Sequence, residues 1–178
     1  LIGCLRALGS KARVLAIARY GFQAELAENA KDGYNFADTT ITLTLVLRGR
    51  AGGARDKSGA LLVTPRVYRE ETLLEERFVI DWTPRTKAVR RIVVRRGSFG
   101  AFTDLLWHVV TPDSLADNIY PPVIMGQAPP NTIEAVPLSE NEFQPGQVYF
   151  VWMADSTWNP GDFRPSAPGY MWYQIYPM

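Results

Sequence analysis

Apolar residues along this chain recur at every second position more clearly than at every third or fourth. From Thr40 to Leu47, Ile41, Leu43, Leu45 and Leu47 point one way and Thr42, Thr44 and Val46 the other, which predicts a strand with one buried face. Ala60 to Val67, Leu73 to Asp81 and Val89 to Arg96 are further strand candidates. Val148 to Ala154 is a near-continuous apolar run of the length of a central strand, and Tyr170 to Tyr176 reads as a closing aromatic strand. Two segments are ambiguous. In Ala12 to Leu26, Val14, Ile17, Ala18 and Phe22 fit a helical stripe, whereas Gly21 and the β-branched content favour a strand, which is the expectation. Ala101 to Val110 is either a strand or the one short helix the pattern allows.

The intervals between these runs carry turn chemistry. Ala27 to Asp38 contains Asn29, Asp32, Gly33 and Asn35; Gly97 to Gly100 and Pro145-Gly146 predict tight turns. Residues 48–59, RGRAGGARDKSG, lack an apolar anchor and predict a mobile surface loop. Glycines beside a lysine invite a phosphate-binding loop, but the G-x-x-x-x-G-K-[ST] spacing is absent. The proline pairs in Tyr120 to Pro130 exclude helix and predict an edge strand or an extended crossover, followed by a short run at Glu134-Ala135-Val136. Eight or so short strands separated by turns predict an all-β fold, a single antiparallel β-sandwich of Greek-key or immunoglobulin-like type with little helix. Residues 1–11 read as a tether and 12–178 as the sandwich domain.

Composition sharpens this picture in a few places. Thirteen prolines and fourteen glycines in 178 residues argue against long helices, and one cysteine with one histidine leaves neither an internal disulfide nor the usual zinc ligands. No metal site or cofactor is expected. The net charge is only +1, yet its distribution is lopsided. Residues 1–96 carry eighteen basic and ten acidic side chains; residues 97–178 carry one basic and eight acidic. Either strands from both halves mix these charges over one surface, or Arg85, Lys87, Arg90, Arg91, Arg95 and Arg96 form a patch for phosphates, lipid headgroups or an anionic polysaccharide. In Arg90 to Arg96 the arginines bracket an apolar centre, as they would in a buried strand with solvated ends.

The chain opens Leu1-Ile2-Gly3-Cys4. These residues resemble the lipobox of bacterial lipoproteins: a leucine, a small or β-branched residue, a small residue, and then the cysteine that is lipidated after cleavage. The resemblance implies that Cys4 is the lipidation site and that the protein is anchored to a membrane of the bacterial envelope. Leu5 rather than an aspartate follows the cysteine, which by that family's sorting pattern implies the outer membrane, facing periplasm or surface. Several acyl chains would hold firmly, at roughly 0.8 kcal/mol per buried CH₂. The stretch from Tyr120 through Met153, with its paired prolines and Phe-Gln-Pro-Gly-Gln-Val-Tyr before a strand, is loosely similar to small uncharacterised bacterial lipoproteins with a Greek-key domain. It carries no catalytic residue with it.

Candidate chemistry is sparse. His108 would need an orienting carboxylate and a nucleophile. Asp104, four residues away, suits a helix face but not a strand, and no G-x-S-x-G elbow occurs. The expectation is a partly buried histidine that satisfies a backbone partner. Paired carboxylates for glycan hydrolysis could be drawn from Asp104, Asp113, Asp117, Asp155 and Asp162. Asp155 and Asp162 flank Trp158, so their loop could offer oxygens to a ligand or an aromatic platform to a sugar ring; its spacing departs from the calcium-loop pattern. Tyr170 and Trp172 join this set if exposed, and form a core stack if not. A non-enzymatic, envelope-anchored domain with a structural or binding role is therefore the leading expectation, its partner an envelope protein or polysaccharide and not nucleic acid. A carboxylate-based glycan hydrolase and a filament or shell subunit assembling through strand edges are the alternatives.

Overall fold

Period-two alternation becomes sheet throughout the part of the chain that the structure describes. That structure is a computed structural model and describes residues 15–17, 23–25, 43–71, 76–139, 143, 144, 146–162, 164 and 167–177. The chain divides into two units, Leu1–Thr42 with Thr72–Leu74, and Leu43–Glu71 with Glu75–Met178. In the first, β1 (Leu15–Ile17) pairs antiparallel with β2 (Gln23–Glu25), so the described residues of the single run expected over Ala12 to Leu26 form two short paired strands.

The second unit holds β3 (Leu43–Val46), β4 (Gly49–Gly53), β5 (Thr64–Glu71), β6 (Glu76–Thr83), β7 (Arg91–Ser98), β8 (Ala101–Val110), β9 (Val123–Ile124), β10 (Ile133–Val136), β11 (Tyr149–Ala154) and β12 (Tyr170–Ile175). They form two antiparallel sheets, a four-stranded one in the order β3-β5-β6-β9 and a six-stranded one in the order β10-β8-β7-β11-β12-β4. The two are not closed into a barrel. No helix occurs among the described residues, so Ala101 to Val110 is a strand, and the proline-rich crossover supplies only the two-residue edge strand β9.

Alternate residues of the two sheets meet in one core. Val67, Phe78, Ile80 and Trp82 come from the smaller sheet, and Ile92, Val94, Trp107, Val151, Met153 and Tyr173 from the larger. At roughly 25 cal/mol per Å² of apolar surface, this shared layer is the principal stabilising term. Its large rings keep their polar atoms satisfied at the margins. The Trp82 indole donates to the Lys87 carbonyl at 2.8 Å, and that of Trp107 to the Glu134 carboxylate at 2.7 Å.

Residues 48–59 depart from expectation. The glycine-rich segment is not a loop throughout; Gly49–Gly53 is β4, the edge strand beside β12. Glycine is normally poor in a strand because it offers no side chain to pack. Here that absence is the requirement: a Cβ at Gly49 would overlap the Tyr173 ring, and one at Gly52 would overlap the indole of Trp172. β3 and β4 are separated only by Leu47 and Arg48, so one run of chain leaves the smaller sheet and enters the larger. The turn that follows is organised by Asp56, whose Oδ1 accepts the Ser58 and Ala60 amides at 2.8 and 3.1 Å.

Candidate functional site

The outer face of the six-stranded sheet, turned away from the smaller sheet, carries a second buried cluster. Pairing register runs a row across it, His108–Val93–Trp152–Trp172–Gly52, from β8 to β4. Two positions along β7 in either direction lie two further rows, Val110–Arg91–Ala154–Tyr170 and Leu105–Arg95–Phe150–Gln174–Arg50. Val93, Phe150, Trp152, Ala154 and Trp172 pack there with Trp158 and Ala167 of the β11–β12 loop. Phe150 lies 5.5 Å from Trp172 and 4.9 Å from Phe102, and Trp152 lies 5.0 Å from Trp158, ring centroid to centroid.

Three guanidinium groups lie over these rings. Arg50 sits 5.3 Å from the centroid of Trp172, Arg91 5.4 Å from that of Trp158 and Arg95 5.9 Å from that of Phe102. The six basic residues of 85–96 are thus not one patch. Arg85 is held by Asp81 at 2.7 Å, Lys87 by Asp155 at 2.7 Å and Arg96 by Asp104 at 2.6 Å. Arg90 is largely buried and staples the 112–117 loop, donating to the carbonyls of Pro112 and Leu115, each at 3.0 Å, and pairing with Asp113 and Asp117. Only Arg91 and Arg95 of the set remain on the sheet face, joined there by Arg50.

Asp155, Trp158, Asp162, Tyr170 and Trp172 do converge, but as packing. Trp158, Tyr170 and Trp172 are 7%, 0% and 3% exposed, which gives the core stack rather than an open platform. Trp158 donates its indole N–H to the Asp162 carbonyl at 2.7 Å. Asp155 is buried at the loop's start, where its Oδ1 accepts the Thr157 amide at 2.9 Å and the Thr157 hydroxyl. Burial pushes its pKa up, but Lys87 and Thr157 outweigh that and hold it below the usual carboxylate range. Arg164 likewise lowers that of Asp162. A general acid for glycan hydrolysis needs a shift in the opposite direction. Among the described residues no group of three His, Cys, Asp or Glu side chains could hold a metal ion.

His108 projects onto the outer face between the rows of Arg91 and Arg95. Its Nε2 is buried without a hydrogen-bond partner, in place of the satisfied histidine expected from sequence. Burial, then the charges of Arg91 and Arg95, lower its pKa below the ordinary histidine value. Asp104, the carboxylate nearest it in sequence, is committed to Arg96. The arginine-covered face was hidden from sequence reading because Arg50 lies in the segment expected to be a loop. The alternation of Arg91, Val93 and Arg95 was the available signal for the rest.

Cys4 lies outside the described residues, as do the whole of the expected 1–11 tether and most of the 12–42 start of the domain. No helix among the described residues is long and apolar enough to cross a membrane. Comparison of the chain with protein-family models, with curated proteins and with solved structures finds no match.

Proposed function

We propose that this chain is the non-enzymatic binding domain of a bacterial envelope lipoprotein, anchored to the outer membrane through lipidated Cys4. The observation that carries the binding role is how the charged side chains are used. Lys87, Arg90, Asp117 and Asp155 serve as struts that fix the loops at one end of the sandwich, while Arg50, Arg91 and Arg95 are laid outward on a rigid aromatic layer. A sandwich braced in this way is a scaffold for display, with recognition placed on a face or on the loops it holds. The anchoring rests on the Leu1-Ile2-Gly3-Cys4 resemblance.

The anchor is tested by expressing the complete gene in a bacterial host fed a clickable fatty acid, then fractionating the cells. Label in the outer-membrane fraction that disappears in Cys4→Ala supports the reading. An unlabelled, soluble product would overturn it.

A further inference from the structure

We propose that the outer face of the six-stranded sheet binds a linear anionic glycan, carboxylated or sulfated, across Arg50, Arg91 and Arg95. The proposal rests on the reading of the domain as a binding module and names the class of ligand.

The three guanidinium groups sit over rings rather than beside carboxylates. A guanidinium lying on a ring keeps its N–H edge free for an oxyanion, which it meets in a two-pronged geometry that an ammonium lacks. The sheet's strands contain just two acidic residues, Asp104 and Glu134, and these are taken up by Arg96 and by the Trp107 indole. Nothing on those strands neutralises the face. Arg91 and Arg95 are four residues apart along β7, roughly 13 Å at strand rise, and Arg95 and Arg50 share a row three strands apart, roughly 14 Å. Such separations exceed the span of one small anion and suit a chain bearing negative groups at intervals.

What the face lacks decides among polyanions. Phe150, Trp152 and Trp172 are buried, so they provide no stacking surface for unpaired bases. An acidic protein partner or a lipid surface would call for exposed apolar anchors. Of the large exposed apolar residues, only Ile133 belongs to a strand of this sheet, and it lies at the β10 edge. A glycan that offers charges and hydroxyls needs neither.

The experiment measures binding of the purified chain to heparin, as the sulfated probe, and to polygalacturonate, as the carboxylated one, at two salt concentrations. The wild type is expected to bind at least one of them, more weakly at high salt. Each of Arg50→Gln, Arg91→Gln and Arg95→Gln should weaken binding three- to tenfold, and the triple variant should lose it, while Arg48→Gln and Arg66→Gln leave it unchanged. Because these arginines also cover rings, a readout on the wild type guards against misfolded variants: the glycan should shift the His108 imidazole resonances. An unmoved His108, undiminished binding by the triple variant, or equal affinity for single-stranded DNA or phosphatidylglycerol vesicles would each overturn the proposal. Binding is read on the purified chain and lipidation in cells, so the failure of one is distinguishable from the failure of the other.

Discussion

The ammonium of Lys87 lies 2.7 Å from the buried carboxylate of Asp155, tying the segment after β6 to the first residue after β11. Lys87 is 42% exposed and Asp155 only 6%, so the two ends of this pair are not equivalent. Removing the lysine leaves Asp155 its two Thr157 partners. Removing the aspartate also frees the Thr157 amide and hydroxyl at the start of the loop. Lys87→Ala should therefore cost about 1 kcal/mol and Asp155→Ala about 2–3 kcal/mol. Urea denaturation of both variants checks the order, and equal losses would contradict it.

Tyr173 closes the corner where the chain passes between sheets. Its hydroxyl donates to the carbonyl of Leu47 at 2.6 Å, across 126 positions of sequence, just where β3 gives way to β4. Burial first, with the neighbouring Tyr176, raises its pKa, consistent with a phenol that stays protonated as the donor. Tyr173→Phe keeps the ring in the core and removes one hydrogen bond. The expected loss is about 1–1.5 kcal/mol with an unchanged denaturant slope. A change in slope would mean that the corner itself had opened.

Most of this architecture was legible because burial follows alternation. Ile92 and Val94 enter the shared core while Val93 enters the outer cluster, and Tyr149 to Ala154 is buried along its whole length because its alternate side chains fall in these two clusters. β4 was not legible, since its glycines are selected by rings that arrive more than a hundred residues later. At the candidate site Trp158, Tyr170 and Trp172 fall in one buried cluster; pattern alone does not say which side of a sheet will be sealed. The basic run of 85–96 is dispersed among partners: apart from Asp81 beside Arg85, its carboxylate partners, Asp104, Asp113, Asp117 and Asp155, come from the acidic half of the chain.

Two glycines of the β11–β12 loop should respond differently to the same change. Gly169 has a φ of +66°, and a methyl group there would overlap the Asp155 carboxylate and the Thr157 hydroxyl. Gly161 has a φ of +99° but faces open space. Both substitutions carry backbone strain of about 1–3 kcal/mol, and only one adds a collision with a buried network. Gly169→Ala should accordingly lower the melting temperature well beyond Gly161→Ala. Comparable melting temperatures would show that the loop relaxes around Asp155.

His108 supplies a pH signature that no other histidine can mimic, because it is the sole one in the chain. Its folded pKa is lowered by burial and then by Arg91 and Arg95 of β7; on its own strand Asp104 is paired with Arg96, and on β10 Glu134 accepts the Trp107 indole. An unfolded histidine titrates near 6.5, so between that value and the lower folded one the unfolded chain binds more protons. Stability should then fall as pH drops below about 7, by at most about 1.4 kcal/mol per unit, and level off beneath the folded pKa. The shifted carboxylates Asp56, Asp155 and Asp162 all move downward, which places their losses at more acidic pH. His108→Gln should therefore flatten the stability profile between pH 5 and 7, in about the way expected of removing one proton site. A wild-type profile already flat in that window, or a variant that retains the fall, would mean that the imidazole is solvated and that the arginines beside it do not act on it.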